Sequence, residues 1–168
     1  MRLSEGVEQA IHSVLLLTNL PADAVLPASA LAEYHGVSTS YLLKHLQALA
    51  NAGLLLSVPG PKGGYRLARA PAQITLLDIV LAVEGPDPAF RCAEIRKRGP
   101  SPIAVHFHKA PCGVNVAMLR AEKAYRAELE KVSIADLSGD RRSALGAAIA
   151  ERACGFLEGN QRRSLPRV

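Results

Sequence analysis

Cys92 and Cys112 stand twenty positions apart with no sulfur-bearing residue between them, and they are the side chains best suited here to hold a metal or undergo redox chemistry. With Cys154 they make an odd count in a chain whose opening segment carries no export signal. Such usage points to a reducing compartment, where thiols serve metals or redox sensing more often than structural bridges. Two thiolates are too few for a four-cysteine cluster, so any iron held there needs other ligands. His106 and His108 fall in the same stretch. Glu8 and His12 stand at i, i+4 near the start of the chain, a spacing that points a carboxylate and an imidazole the same way on a helix. Plainer readings stand beside these. Glu8 alone reads as a solvated helix residue, His12 as packed or partly exposed, and His106 and His108 as solvated loop residues. Cys92 and Cys112 can form a reversible disulfide without metal, or a zinc site with His106 or His108. Cys154 reads as a small buried apolar residue. The run Arg96-Lys97-Arg98 reads as solvated surface, with contact to phosphates as the alternative.

The elements that must position these groups follow from periodicity. Val7, Ala10, Ile11, Val14, Leu15 and Thr18 recur at helical spacing after Ser4, so residues 4–19 are expected to form an amphipathic helix that Pro21 stops. Pro27 and Ser29 open a short second helix, and Gly36-Val37 make a turn. Ser38 begins a third helix, carrying Tyr41, Leu42, Leu46 and Leu49, which Gly53 closes. Leu54 to Val58 and Tyr65 to Ala68 read as two strands joined by a Pro- and Gly-rich turn. A fourth helix runs from Thr75 to Glu84. Residues 89–113 are irregular, a long helix spans about 114–132, and an Ala-rich helix is expected within 140–158. The expected fold is mainly α with a small β-hairpin wing: a winged helix-turn-helix followed by a long dimerisation helix. Val114, Ala117, Ala121, Tyr125 and Leu129 form a narrow apolar stripe that can serve as intramolecular core or, on a long helix beside a small winged domain, as a homodimer interface. The divisions are residues 1–88 for the winged helix-turn-helix, 89–113 for a cysteine-bearing sensor loop, 114–158 for the dimerisation and C-terminal helices, and 159–168 for a flexible basic tail.

A helix-turn-helix lays its second helix in the major groove of DNA. Ser38, Thr39, Ser40 and Tyr41 stand at the N-terminus of that helix, where hydroxyls, free N–H groups and the helix dipole suit phosphate. Lys44, His45 and Gln47 are the next polar positions. In the hairpin, Gly63 and Gly64 permit a bare tip that can approach the minor groove, and Lys62 and Arg66 bring charge. Net charge supports an anionic partner only weakly: 20 Lys and Arg against 15 Asp and Glu give +5. The excess lies mostly outside this segment. Residues 1–70 hold five basic and four acidic side chains, whereas 91–168 hold fifteen and eight. No apolar run approaches the ~18 residues of a membrane span, so a cytoplasmic protein with no membrane partner is expected. No nucleophile–base motif, phosphate-binding loop or metal-hydrolase signature is present, which argues against an enzyme. The Gly-rich turn joins two strands and lacks the helix that receives phosphate in a nucleotide loop.

The stretch Leu31-Ala32-Glu33, Val37-Ser38, Ser40-Tyr41-Leu42, Leu49 and Ala52-Gly53-Leu54, continued by Gly60 to Leu67 and Ile74 to Asp78, resembles the Rrf2 family of regulators. The resemblance implies a dimer of winged-helix domains crossed by the long helix, binding double-stranded operator DNA and mostly repressing. Family members with iron–sulfur clusters place three cysteines close together before that helix, and this chain departs from the pattern. Phe90 to Arg96, the later Cys112, and Glu8 with His12 resemble instead the RsrR redox-sensing branch. There the resemblance implies a 2Fe–2S cluster ligated by Cys92, Cys112, His12 and Glu8, the first helix reaching in from the partner subunit. Replacing cysteine by histidine raises a cluster's reduction potential. The alternative is a metal-free regulator of the same family, switched by oxidation of Cys92 and Cys112, by a small ligand or by a protein partner.

Overall fold

The computed structural model describes residues 3–138 and 143–163, with the side chain of His108 outside the described set. Helix α1 spans Glu5–Leu17 and buries Val7, Ala10, Val14 and Leu17, one helical face. Ser4 precedes it in extended conformation, and its backbone N–H and hydroxyl both donate to the Glu84 carboxylate, at 2.9 and 2.6 Å. The start of α1 is therefore tied to the later helix that ends at Glu84. A short strand β1 (Ala24–Val25) leads to α2 (Ala28–His35), which ends at Gly36 in the left-handed region (φ 67°). Glycine has no Cβ to clash there, so the chain turns sharply into α3 (Thr39–Asn51).

The hairpin follows, with β2 (Leu55–Val58) and β3 (Gly64–Leu67) antiparallel, Leu55 opposite Leu67 and Val58 opposite Gly64. Tyr65 also exchanges backbone hydrogen bonds with Leu26, at 3.0 and 2.8 Å, so the hairpin leans on the chain leaving β1. Helix α4 (Leu76–Glu84) opens with a capping box between Thr75 and Asp78. This is the winged helix-turn-helix order expected from the sequence.

Residues 85–112 contain only short helical turns, at Ile95–Lys97 and Val105–Lys109. Helix α5 (Gly113–Glu130) packs on α4, and α6 (Ile134–Ser138) returns to α1. Of the apolar stripe expected on α5, Tyr125 and Leu129 are half-buried against the body, while Val114, Ala117 and Ala121 are exposed. Helix α7 covers Ala144–Asn160. Ile134, Ala153 and Leu157 join Leu17, Leu31, Leu42, Leu46 and Ile79 in one buried cluster.

Two expectations fail in this half. Cys154 is exposed rather than buried, because Ala153 and Leu157 form the inward face of α7. The expected flexible tail is ordered where it is described: Arg162–Arg163 form a strand, β4, antiparallel to β1. Residues 164–168 of that tail lie outside the described residues. Among the described residues, no helix is long and apolar enough to cross a membrane.

Candidate metal centre and nucleic-acid interface

Pro111-Cys112-Gly113 delivers Cys112 to the N-cap position of α5, where its side chain is buried. The irregular loop folds back so that the Cys92 sulfur, a Glu94 carboxylate oxygen and the Cys112 sulfur lie within 4.8 Å of one another. The sulfur of Cys92 is 3.6 Å from Glu94. Glu94 takes a left-handed conformation (φ 47°, ψ 51°), which an L side chain adopts at a cost of about 1–2 kcal/mol. Arg96 holds it there: two guanidinium nitrogens contact its carboxylate, the shortest distance being 2.8 Å, and one also donates to the Ala110 carbonyl at 3.2 Å. Arg96 thus laces the two cysteine-bearing segments together and is no free surface charge, contrary to the solvated reading of that run. Lys97 and Arg98 remain exposed.

The two sulfurs differ in acidity. Backbone N–H groups of Asn115 and Val114, at the start of α5, pull the Cys112 thiol below its ordinary pKa, and Cys92 and Arg96 reinforce this. At Cys92 the Glu94 backbone N–H favours the thiolate, but desolvation and the neighbouring Cys112 and Glu94 outweigh it and raise the pKa. Of the pair, Cys112 is therefore the sulfur that more readily gives up its proton. Two sulfurs and a carboxylate at this spacing suit a metal of mixed sulfur and oxygen ligation. They also leave the sulfurs near enough for oxidation to a disulfide after a small movement. The two sulfurs fit iron as ligands from one chain, short of a complete set, and the Glu94 carboxylate beside them is already engaged by Arg96.

Glu8 and His12 do not belong to that group in the single chain. Both are exposed on α1, and with Leu3, Val7 and Ile11 they line a shallow groove of about 370 Å³. The His12 ring lies 6.1 Å from the His35 ring. His106 is exposed and rests against Phe107, outside the sulfur cluster, so the zinc reading through His106 has no support in the geometry. The reading through His108 rests on a side chain outside the described residues. Glu94 is the group the sequence reading missed as a donor. The available signal was its place two residues after Cys92.

Ser38, Thr39 and Ser40 are exposed at the N-terminus of α3, and Tyr41, Lys44 and Gln47 continue the exposed surface along the helix. The Ser38 and Ser40 hydroxyls pair with each other at 3.0 Å and Ser38 makes no side-chain cap, so no cap occupies the N–H groups of the first turn. His45 is a correction. Only 5 % exposed, it faces Gly6 of α1, where a Cβ would enter its ring, and it stacks edge-on against Tyr41 at 4.7 Å. Burial, then the charge of Lys44, lower its pKa, and its Nε2 is buried without a partner among the described residues.

In the wing, Lys62 is exposed at the tip. Gly63 and Gly64 are buried rather than bare: a Cβ would strike the Val58 carbonyl at the first and the Leu26 carbonyl at the second. Their smallness serves the close approach of strands. Arg66 is half-buried and donates to the Ala22 carbonyl at 2.8 Å, so it braces the loop before β1.

Comparison with known proteins agrees with this architecture. The Rrf2 family model, described as "Iron-dependent Transcriptional regulator", matches residues 3–140. The chain is 33% identical over 141 residues to YffB of Lactococcus lactis, whose name describes a candidate HTH-type transcriptional regulator, covering 83% of this chain and 88% of that one. It is 46% identical over 85 residues to YwgB of Bacillus subtilis, similarly named, a match spanning 51% of this chain and about half (54%) of that relative. The solved structure of CymR, the global cysteine regulator of B. subtilis, shares the fold with a TM-score of 0.61 at 23% identity, over 82% of this chain and 95% of that one. A winged helix-turn-helix matched along most of its length by this family leads to one assignment: the chain belongs to the Rrf2 family of DNA-binding transcriptional regulators, which are not enzymes.

Proposed function

We propose that this protein is a cytoplasmic, dimeric regulator, acting as a repressor, that senses redox state through a 2Fe–2S cluster. The cluster would be held by Cys92 and Cys112 of one chain and by Glu8 and His12 of a second copy. The observation that carries this reading is the convergence of Cys92, Glu94 and Cys112 at the start of α5, in a chain whose family is described as iron-dependent. Bound there, such a cluster supplies a one-electron change between two oxidation states.

The chain's own residues do the rest. Cys112 offers a thiolate stabilised by the α5 N-terminus, and Arg96 with Glu94 holds Cys92 beside it. Glu94 is engaged by Arg96, so its part is to position the loop, leaving Glu8 as the acidic ligand. Helix α1, which carries Glu8 and His12, meets α3 at the Gly6–His45 contact with no slack. Helix α5 meets α4, which meets α3. A shift of either ligand-bearing helix therefore reaches the exposed face of α3, where Ser38, Thr39, Ser40, Tyr41, Lys44 and Gln47, with Lys62 of the wing, contact operator DNA. Two packed arrangements of these helices, each favoured by one oxidation state, would differ in operator affinity.

Anaerobic isolation tests the centre. The protein is expected to be coloured, with two irons per protomer. Cys92→Ala or Cys112→Ala should abolish both colour and iron. Glu8→Ala and His12→Ala should weaken retention, and Glu94→Gln, by loosening the loop, should lower iron affinity about ten- to hundredfold. Full iron content in the Glu8 and His12 variants would refute the α1 ligands. A protein colourless in every preparation, whose DNA affinity still changes on thiol oxidation, would establish the disulfide reading that the proximity of Cys92 and Cys112 also supports.

A further inference from the structure

The chain continues past the segment matched by the family, which ends at residue 140, and its last described residues return to the wing. After α7, Arg163 pairs with Ala24 and Arg162 with Val25. The next residue of that stretch, Leu26, pairs with Tyr65 of β3, and β3 pairs with β2. In order across the surface stand β4, β1, β3 and β2, with the C-terminal segment on the outer edge. Arg162 donates from its guanidinium to the carbonyl of Pro61, directly before Lys62 at the tip. Both arginines are exposed. Arg66, meanwhile, is turned back to Ala22.

The geometry points to β4 as part of the DNA-binding surface, with Arg162 and Arg163 contacting backbone phosphates beside the wing. This rests on the DNA-binding reading above. The wing proper brings one outward cation, Lys62, to this edge, and β4 adds two. Their main chain is already fixed by strand pairing and Arg162 by its bond to Pro61, so little ordering entropy is lost on binding. Arginine suits the planar, bidentate recognition of phosphate. A surface of this kind serves affinity without reading sequence, because phosphate contacts carry no base information.

The test uses the full chain and a mixed-sequence duplex of about 30 base pairs, with binding followed by fluorescence anisotropy across a salt series. Arg162→Gln/Arg163→Gln should flatten the slope of log affinity against log salt by about 0.9 for each arginine lost per engaged wing. Arg162→Lys/Arg163→Lys should keep the wild-type slope, because charge is retained, and this separates phosphate contact from a structural part in β4. Lys62→Gln serves as the reference loss of one contact. An unchanged slope in the double Gln variant, with a reduced one in Lys62→Gln, would overturn the inference and leave the DNA-binding reading intact. Absence of salt-dependent binding by the wild-type protein would overturn both.

Discussion

Gly6 and His45 set the distance between α1 and α3. The ring of His45 occupies the volume that any side chain at position 6 would need, so the two helices meet at backbone range. Gly6→Ala is expected to lower stability by about 1–3 kcal/mol through overpacking, measured by urea unfolding, and His45→Ala added to it should restore part of the loss. Failure of the second change to compensate would show that the strain lies elsewhere. The same pair explains why His45 reads from sequence as a DNA-facing residue. It stands four positions from Tyr41 and next to Lys44, both outward, and nothing within α3 announces that a glycine of another helix will receive it. Glu94 is comparable: its value comes from the folding of a loop with no period to read.

At the scale of elements, the end of α2 carries a titrating group. His35 is pushed down to about 4 from 6.5, by burial first and then by the charges of His12 and Arg152. The folded state thus prefers the neutral ring, and between those values the unfolded chain binds more protons. The resulting stability is fully present above pH 6.5 and is lost as pH falls toward 4. Because His35 is only half-buried, the effect is on the order of 1 kcal/mol after solvent screening. His35→Gln should remove that part of the pH dependence in thermal melts between pH 7 and about 4.5; an unaltered profile would assign it to other groups. The helices themselves were legible because periodicity, capping and turn glycines act within a few residues: α1 by its apolar stripe, α4 by Thr75 and Asp78, α2 by Gly36. Strand β4 was not legible, because a two-residue strand has no pattern of its own and exists through β1.

For the whole molecule, α5 is the helix with the most apolar surface left uncovered in its first half. It buries only Glu122 among its eighteen residues, while Val116, Met118 and Leu119 are all exposed. Exposed apolar side chains of this kind suit the second copy proposed above, on which the placing of Glu8 and His12 at the other chain's sulfurs depends. Leu119→Glu is expected to shift sedimentation from dimer to monomer and to reduce iron retention with it. A dimeric Leu119→Glu protein with full iron would place the interface on another face.

The helix-turn-helix, the wing and the two sulfurs of the irregular loop could be read from residue order, because local spacing, capping and turn chemistry decide them over short stretches of chain. The tertiary structure alone decided where each polar group is directed and how exposed it stays: His45 is buried against Gly6 and Arg66 half-buried toward Ala22, while Glu94 joins the sulfurs and the exposed Arg162 reaches the wing. The basic excess of the second half is in part returned to the wing by β4. Each of these outcomes depends on close approach between segments whose separation along the chain carries no periodic signal, and only the packed core sets that approach.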